Sequence, residues 1–377
     1  MRVGIVTEFF PRSAEVEVRG GAEARAFYLA REIAKEEEVV VLTTREEDDP
    51  RESEFLGIRV IRLGMERKYS QRGSLAERMS FIVEGVRLRE ELDIVDGQCF
   101  IAYPLAWRIA KRSGIPAVAT YHDVWLGKWI RNVGVIGVAG ELLERYILTR
   151  GWDRVIAVSG FTARMLVESG VERDRIVVIP NGVDVERIAG IEGEKEAEPT
   201  ICCISRLVKY KHVDEVLGAV ARLKKEIPNL RCKIVGTGPE ERSLRELAAR
   251  LGIGKNVEFL GFVKSHADVM RILKSSHVFC LASTVEGFGI VLLEAMAAGV
   301  PFVATKIEPL LEASGGRGGL FFTPGNVEEM SEKLLRLLTD EDLRRRKIEE
   351  GREWVRNYRW GEIGRRVLEV YRELAEE

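Results

Sequence analysis

Short runs of β-branched and apolar residues alternate with longer stretches in which apolar positions recur every three or four residues. In the first half this spacing predicts strands at residues 2–7, 38–43, 58–62, 94–98, 116–121 and 154–158. Helices are expected between them, at about 21–36, 75–91, 102–112 and 160–169. Such alternation favours parallel sheets with helices on both faces, because parallel neighbours need a long crossover connection. The turn-forming run Ile179-Pro180-Asn181-Gly182-Val183-Asp184 then breaks the pattern, and the polar residues 192–199 read as an exposed crossing. Strand patterns restart at 200–204, 231–235, 257–261 and 277–281, with helical patterns near 212–226, 240–251, 265–274 and 289–298. Helices close the chain from about 326. The expected class is α/β, with two Rossmann-like parallel-sheet domains. Ligands in such sheets bind at the carboxyl ends of the strands, beside helix N-termini.

Composition supports this reading. A chain of 377 residues suits two cores of ordinary size, and 46% apolar with 31% charged residues suits a water-soluble globular protein. A net charge of −2 offers no general attraction to nucleic acid, so no nucleic-acid partner is expected. The five cysteines (Cys99, Cys202, Cys203, Cys232 and Cys280) form no CxxC pair and mostly lie in strand-like runs. They read as reduced, buried thiols of a cytoplasmic protein rather than metal ligands. The strand-like Val3-Gly4-Ile5-Val6 at the start predicts no signal peptide. The longest apolar run, 133–140 between Arg131 and Glu141, is far too short to span a bilayer. Two glutamines against many Arg and Glu resemble a thermophile's composition.

The candidate chemistry gathers in the second half. Ser205-Arg206-Leu207-Val208-Lys209-Tyr210-Lys211 directly follows a predicted strand, which puts Arg206 and Lys211 where phosphate-facing loops lie. Arg grips phosphate oxygens with a planar fork, and Lys adds a mobile charge. The run 277–299 reads as strand, glycine-bearing turn and apolar helix. Gly287 and Gly289 at that junction would let backbone N–H groups approach an anion. The set could offset a diphosphate's charge without a metal. Glu294 lies inside the apolar helical run and needs partners, either ribose hydroxyls or a salt bridge within the protein. Glu286 is either a contact to a transferred sugar or a solvated turn residue.

Fewer candidates fall in the first half. Gly20-Gly21-Ala22-Glu23 opens a helix that either faces a ligand or simply starts there; it is not a GxGxxG fingerprint. His122 and Asp123 follow the predicted strand 116–121, and His122 is either structural or a sugar contact. His266 and His277 show no acidic partners at ligand spacing, and Asp340-Glu341-Asp342 reads as helix-capping acid, so no metal site is expected. Arg59, Arg62, Arg67, Lys68 and Arg72, and the aromatic and basic run 124–130, are either a solvated face or contacts to a lipid-linked acceptor or an anionic membrane.

In combination these motifs resemble the retaining glycosyltransferases of the GT-B fold, glycosyltransferase family 4 (group 1). The matching pieces are GGAE at 20–23, HD at 122–123, PNGVD at 180–184, SRLVKYK at 205–211, GTGP at 236–239 and EGFGIVLLE at 286–294. They span almost the whole chain; Ser205 stands where the family commonly has Gly. The resemblance implies two domains facing across a cleft: an acceptor-binding domain at 1–185, a nucleotide-sugar domain at 186–358, and a terminal helix at 359–377 crossing back to the first. It implies a hexosyltransferase-type enzyme that moves a sugar to a hydroxyl with retention and releases a nucleoside diphosphate. An epimerase, a phosphorylase or a non-catalytic nucleotide-sugar-binding protein of the same fold are the alternatives. The implied catalytic set is His122, Arg206, Lys211 and Glu286. The implied donor-binding set adds Gly21, Gly238, Phe262, Val263, Gly287, Phe288, Gly289, Ile290 and Glu294. The donor is expected to be a UDP- or GDP-sugar with no further cofactor, and the acceptor a sugar, a small molecule or a lipid-linked species. The expected location is cytoplasmic, with peripheral contact to the inner membrane face through the first domain as an option.

Overall fold

A computed structural model describes residues 1–14, 20–68, 75–130, 134–135 and 137–376. Arg72, Arg131 and Val133 lie outside them. The chain divides into two compact units, residues 1–181 with 360–377, and residues 182–359. The Val183 amide donates to the Tyr358 carbonyl, and Val183 bridges to Arg359, so the two ends of the second unit are tied to each other.

The first unit is built on one eight-stranded sheet ordered β3-β4-β2-β1-β5-β6-β7-β8. Its strands are β1 (Arg2–Val6), β2 (Glu38–Glu46), β3 (Glu52–Phe55), β4 (Ile58–Arg67), β5 (Ile94–Gly97), β6 (Ala117–Tyr121), β7 (Arg154–Ala157) and β8 (Ile176–Val178). All pair in parallel except β3, which runs antiparallel to β4. The connecting helices include α1 (Gly21–Ile33), α2 (Leu75–Arg87), α3 (Ala102–Ser113), α4 (Gly137–Leu148) and α5 (Gly160–Glu168). Along β2, Val40 and Leu42 belong to one core with α2 and α3, while Val39 and Val41 belong to another with α1. A strand's two-residue period thus sends side chains to both faces, each covered by helices. Helix α4 was not expected: its outer positions are as apolar as its inner ones, so no amphipathic period marks it.

In the second unit a short helix, α6 (Val185–Gly190), precedes a six-stranded parallel sheet ordered β11-β10-β9-β12-β13-β14. These strands are β9 (Thr200–Ile204), β10 (Arg231–Val235), β11 (Val257–Gly261), β12 (Val278–Leu281), β13 (Phe302–Thr305) and β14 (Gly319–Phe322). Between and after them lie α7 (Val213–Leu223), α8 (Glu241–Arg250), α9 (His266–Ser275), α10 (Ile290–Ala297), α11 (Glu308–Ser314), α12 (Val327–Thr339) and α13 (Glu341–Val355). Asp340 caps α13 by accepting the Leu343 amide. Cys202, Cys203, Cys232 and Cys280 are buried free thiols in these strands. Strand order reverses between β9 and β12, which creates a switch point at the strands' carboxyl ends.

The last helix, α14 (Trp360–Glu376), returns to the first unit and packs on α1. Trp360 stacks on Tyr28 with ring centroids 5.3 Å apart. Gly364 faces Glu32 so closely that an added Cβ would lie 2.6 Å from the Glu32 Cβ. Each large apolar side chain buried here stabilises the docking by about 1.5–3 kcal/mol.

Candidate functional site

The switch point of the second unit collects the chemistry. The chain leaves β9 as Ser205–Val208, turns through a 3₁₀ segment at Lys209–Lys211, and enters α7 at His212, held in the left-handed region at φ 47°. Two neighbouring loops fix this path. The Leu207 amide donates to Thr237 O, and the Glu240 amide to Leu207 O. That pairing needs glycine: a Cβ on Gly236 would sit 2.0 Å from Ser205 O, and one on Gly238 would sit 2.2 Å from Leu207 O. Gly238 therefore has a packing reason of its own, beside the donor contact implied by its motif. On the other side the Thr284 amide donates to Tyr210 O, which ties the loop after β12 to the loop after β9.

Within this frame the Arg206 guanidinium is exposed and donates to the Tyr210 hydroxyl at 2.6 Å. Lys211 Nζ donates to Glu286 Oε1 at 2.5 Å, with the side chains 13% and 15% exposed. The structure thus brings together Arg206, Lys211 and Glu286, which are up to 80 positions apart in sequence. The half-buried Gly287 follows, then the buried Phe288, whose ring lies 5.9 Å from that of Tyr358. Gly289 caps α10 at φ +93°, where a side chain would be strained and would also meet Leu310. This special conformation starts α10 at the half-buried Ile290, in the loop that follows β12 at the carboxyl end of the sheet. Free amides and the helix dipole there favour an anion.

Glu294 lies one turn further along α10. Its Oε1 is 2.7 Å from His266 Nε2, at the start of α9. Glu294 thus has a partner within the protein, one of the two alternatives its place in an apolar helix left open. The two are 28 residues apart on different helices, and no local spacing could have shown the contact. Phe262 and Val263 leave β11 next to the Gly236 loop. The Gly236 amide donates to Gly261 O, Phe262 is 46% exposed and Val263 is half-buried. Among the described residues no group of three or more His, Cys, Asp or Glu side chains could hold a metal ion.

The first unit presents a different chemistry at the ends of β5 and β6. Asp96 is fully buried and accepts hydrogen bonds from Tyr371 Oη at 2.5 Å, Gln98 Nε2 at 2.6 Å and Thr120 Oγ1 at 2.9 Å. Burial pushes its carboxyl up to about 6 against the pull of those bonds. Arg25, on the helix opened by the GGAE motif, is buried beside it and donates to Pro180 O and Asn181 Oδ1. Burial lowers its guanidinium to about 10. His122 follows β6, and burial, with Arg25 adding to it, takes its imidazole down to about 3 despite a hydrogen bond with the Gln98 backbone. The ring is therefore neutral at ordinary pH, and its Nε2 is buried without a partner among the described residues. Gly21 begins α1 on an exposed turn.

The described part of the basic stretch, residues 59–68, is not the surface patch its sequence suggests. Arg62 and Arg67 are buried, pairing with Asp49 and Glu8, and Arg59 pairs with Glu90. Lys68 alone of the described four is largely exposed, near Glu47. In the aromatic run after His122, Val124 is buried, and Trp129 Nε1 donates to Glu144 Oε2 at 2.5 Å on α4. No helix among the described residues is long and apolar enough to cross a membrane.

A sheet of 3-2-1-4-5-6 order with two cations and a glycine-capped helix at its switch point defines a nucleotide-binding domain of Rossmann type. Comparison with known proteins narrows the class. Residues 184–354 match the family model described as glycosyl transferases group 1, and residues 19–187 match that of glycosyltransferase family 4. The chain is 31% identical over 300 residues to the MMP alpha-(1->4)-mannosyltransferase of Mycolicibacterium hassiacum, covering 75% of this chain and 71% of that enzyme. It is 30% identical over 308 residues to the GDP-mannose-dependent alpha-(1-6)-phosphatidylinositol monomannoside mannosyltransferase of Mycobacterium tuberculosis, covering 76% of this chain and 78% of that enzyme. The structure of Anabaena HepE in complex with UDP-glucose superposes with a TM-score of 0.78 at 20% identity, over 99% of this chain and all of that one. The chain belongs to the GT-B glycosyltransferases of family 4, group 1. It is accordingly a retaining glycosyltransferase that takes its sugar from a nucleotide-sugar donor.

Proposed function

We propose that the second unit binds a UDP- or GDP-hexose with its diphosphate between Arg206, Lys211 and the first amides of α10. One observation carries this reading: loops from β9 and β12, far apart in sequence, are hydrogen-bonded together at the switch point with both cations and the α10 start on them. As the glycosidic bond breaks, negative charge grows on the departing diphosphate. Arg206, Lys211 and the helix start stabilise it where other enzymes use a divalent ion. The acceptor hydroxyl attacks on the same face and passes its proton to the leaving diphosphate, which retains the anomeric configuration without a protein nucleophile. Glu286, released from Lys211 by the diphosphate, holds hydroxyls of the transferred sugar, and Glu294 holds the ribose. The remaining donor contacts are Gly238, Phe262, Val263, Gly287, Phe288, Gly289 and Ile290. The first unit supplies His122, whose neutral Nε2 accepts a hydrogen bond from the donor sugar, and Gly21 beside the acceptor.

The same unit meets a lipid-linked acceptor at an anionic membrane surface. Support comes from α4, where Val138, Leu142 and Tyr146 recur at four-residue spacing and are 44%, 63% and 42% exposed. The Arg150 guanidinium lies 4.0 Å from the Tyr146 ring centre at the end of this stripe. An apolar stripe that ends in a cation suits a lipid interface. The phosphatidylinositol monomannoside named for the mycobacterial relative is such an acceptor.

Thermal shift with UDP, GDP and their sugars, followed by product analysis with the stabilising donor, tests the donor assignment. A stabilising donor and a new α-linked glycoside are expected. Binding that survives Arg206→Ala and Lys211→Met unchanged would refute the proposed diphosphate site.

A further inference from the structure

His266 is not part of the transfer as proposed, yet it touches a residue that is. It is the first residue of α9, whose start is fixed by Ser265 accepting the Asp268 amide. From there its Nε2 reaches Glu294 Oε1 on the adjacent α10 at 2.7 Å, and the two side chains are only 11% and 18% exposed. The other ring nitrogen, Nδ1, is buried and has no partner among the described residues. A ring with its proton on Nε2 leaves one lone pair unsatisfied at Nδ1. A proton on Nδ1 would bury an N–H donor with no acceptor, which is costlier. The geometry is thus met by an Nε2–H donor aimed at the carboxylate.

A carboxylate offers about four lone-pair sites on its two oxygens. His266 takes one on Oε1 and leaves Oε2 and the rest of Oε1 for other donors. A ribose needs such an arrangement, since its two neighbouring hydroxyls can both donate to one carboxylate. Without the imidazole, a glutamate at this position would have to lose the freedom of its flexible side chain when ligand binds.

We infer that His266 is a positioning residue: it holds the Glu294 carboxylate in the orientation that accepts both ribose hydroxyls, and so sets the preference for ribonucleotide over deoxyribonucleotide donors. This rests on the reading of Glu294 as the ribose contact. The opposite role is also testable, because an imidazole that merely fills the ribose place would compete with the nucleotide.

The experiment is calorimetric titration of the full chain with UDP and GDP, each beside its 2′-deoxy and 3′-deoxy counterparts. Wild type, His266→Ala and His266→Gln are compared, with donor KM and kcat measured on the same samples. Wild type should prefer the ribose forms. His266→Ala should bind them about tenfold more weakly, the size of one modest hydrogen bond, and lose the preference while keeping kcat. His266→Gln, whose amide can donate from a similar place, should retain it. Unchanged or tighter binding by His266→Ala, or equal weakening of ribo and deoxy forms, would overturn the inference while leaving the ribose reading intact. A wild type that does not discriminate would overturn the ribose reading itself, and the inference with it.

Discussion

Replacing Lys211 by Met removes one cation from the diphosphate site at nearly constant side-chain volume, and it acts on two quantities that can be measured separately. The first is stability. Lys211 Nζ is 2.5 Å from Glu286 Oε1 and both side chains are mostly buried, so the substitution leaves a partly desolvated carboxylate without its cation. Breaking a fully buried pair costs about 3–5 kcal/mol. Water still reaches this one, and a loss of about 1–2 kcal/mol is expected. The second is transfer. A hydrogen bond to a charged group is worth about 1.5–3 kcal/mol, so losing one from the departing diphosphate should lower kcat/KM by about 10–150-fold. The combined variant Lys211→Met with Glu286→Gln removes the stranded charge and should recover most of the stability but none of the rate. Urea unfolding and initial transfer rates on the three proteins provide the assay. Wild-type turnover in Lys211→Met, or activity that returns together with stability in the combined variant, would refute the electrostatic argument and leave the lysine a structural residue.

Two further outcomes follow from the first unit. Burial raises the Asp96 carboxyl from 3.8 to about 6, and an acid raised on folding favours the folded state below its unfolded pKa and loses that contribution as pH rises through about 6. Going from pH 7 to 4.5, wild type should therefore gain about 2 kcal/mol relative to Asp96→Asn in urea unfolding, and a flat difference would contradict the assignment. On α4, Leu142→Asp should abolish co-sedimentation with anionic liposomes at low salt while leaving transfer to a water-soluble acceptor intact. Wild type that ignores such liposomes would remove the membrane reading.

Much of the molecule was legible before folding was considered. The strand and helix spacing of both halves marked the parallel sheets, since apolar periodicity reflects which face of each element is buried. Residues 52–55, 176–178, 302–305 and 319–322 form strands that were not expected. β3, β8 and β14 lie at sheet edges and β13 lies beside one. The motif residues Arg206, Lys211, Glu286 and Glu294 were marked by their places after strands and inside an apolar helix.

Their partners were not marked. Nothing local in sequence pairs Lys211 with Glu286 or His266 with Glu294, and nothing shows that Arg62 and Arg67 turn inward to Asp49 and Glu8. Local order along the chain sets periodicity, turn chemistry and the supply of charged groups. Which charge meets which depends on strand order and helix packing, because a salt bridge or a buried hydrogen bond acts over a few ångströms in space, whatever the distance along the chain. The amino-acid sequence by itself therefore determined most of the elements and the chemistry class of this glycosyltransferase. The tertiary structure alone decided that two loops and two helices bring that chemistry to the carboxyl ends of the two central strands, β9 and β12.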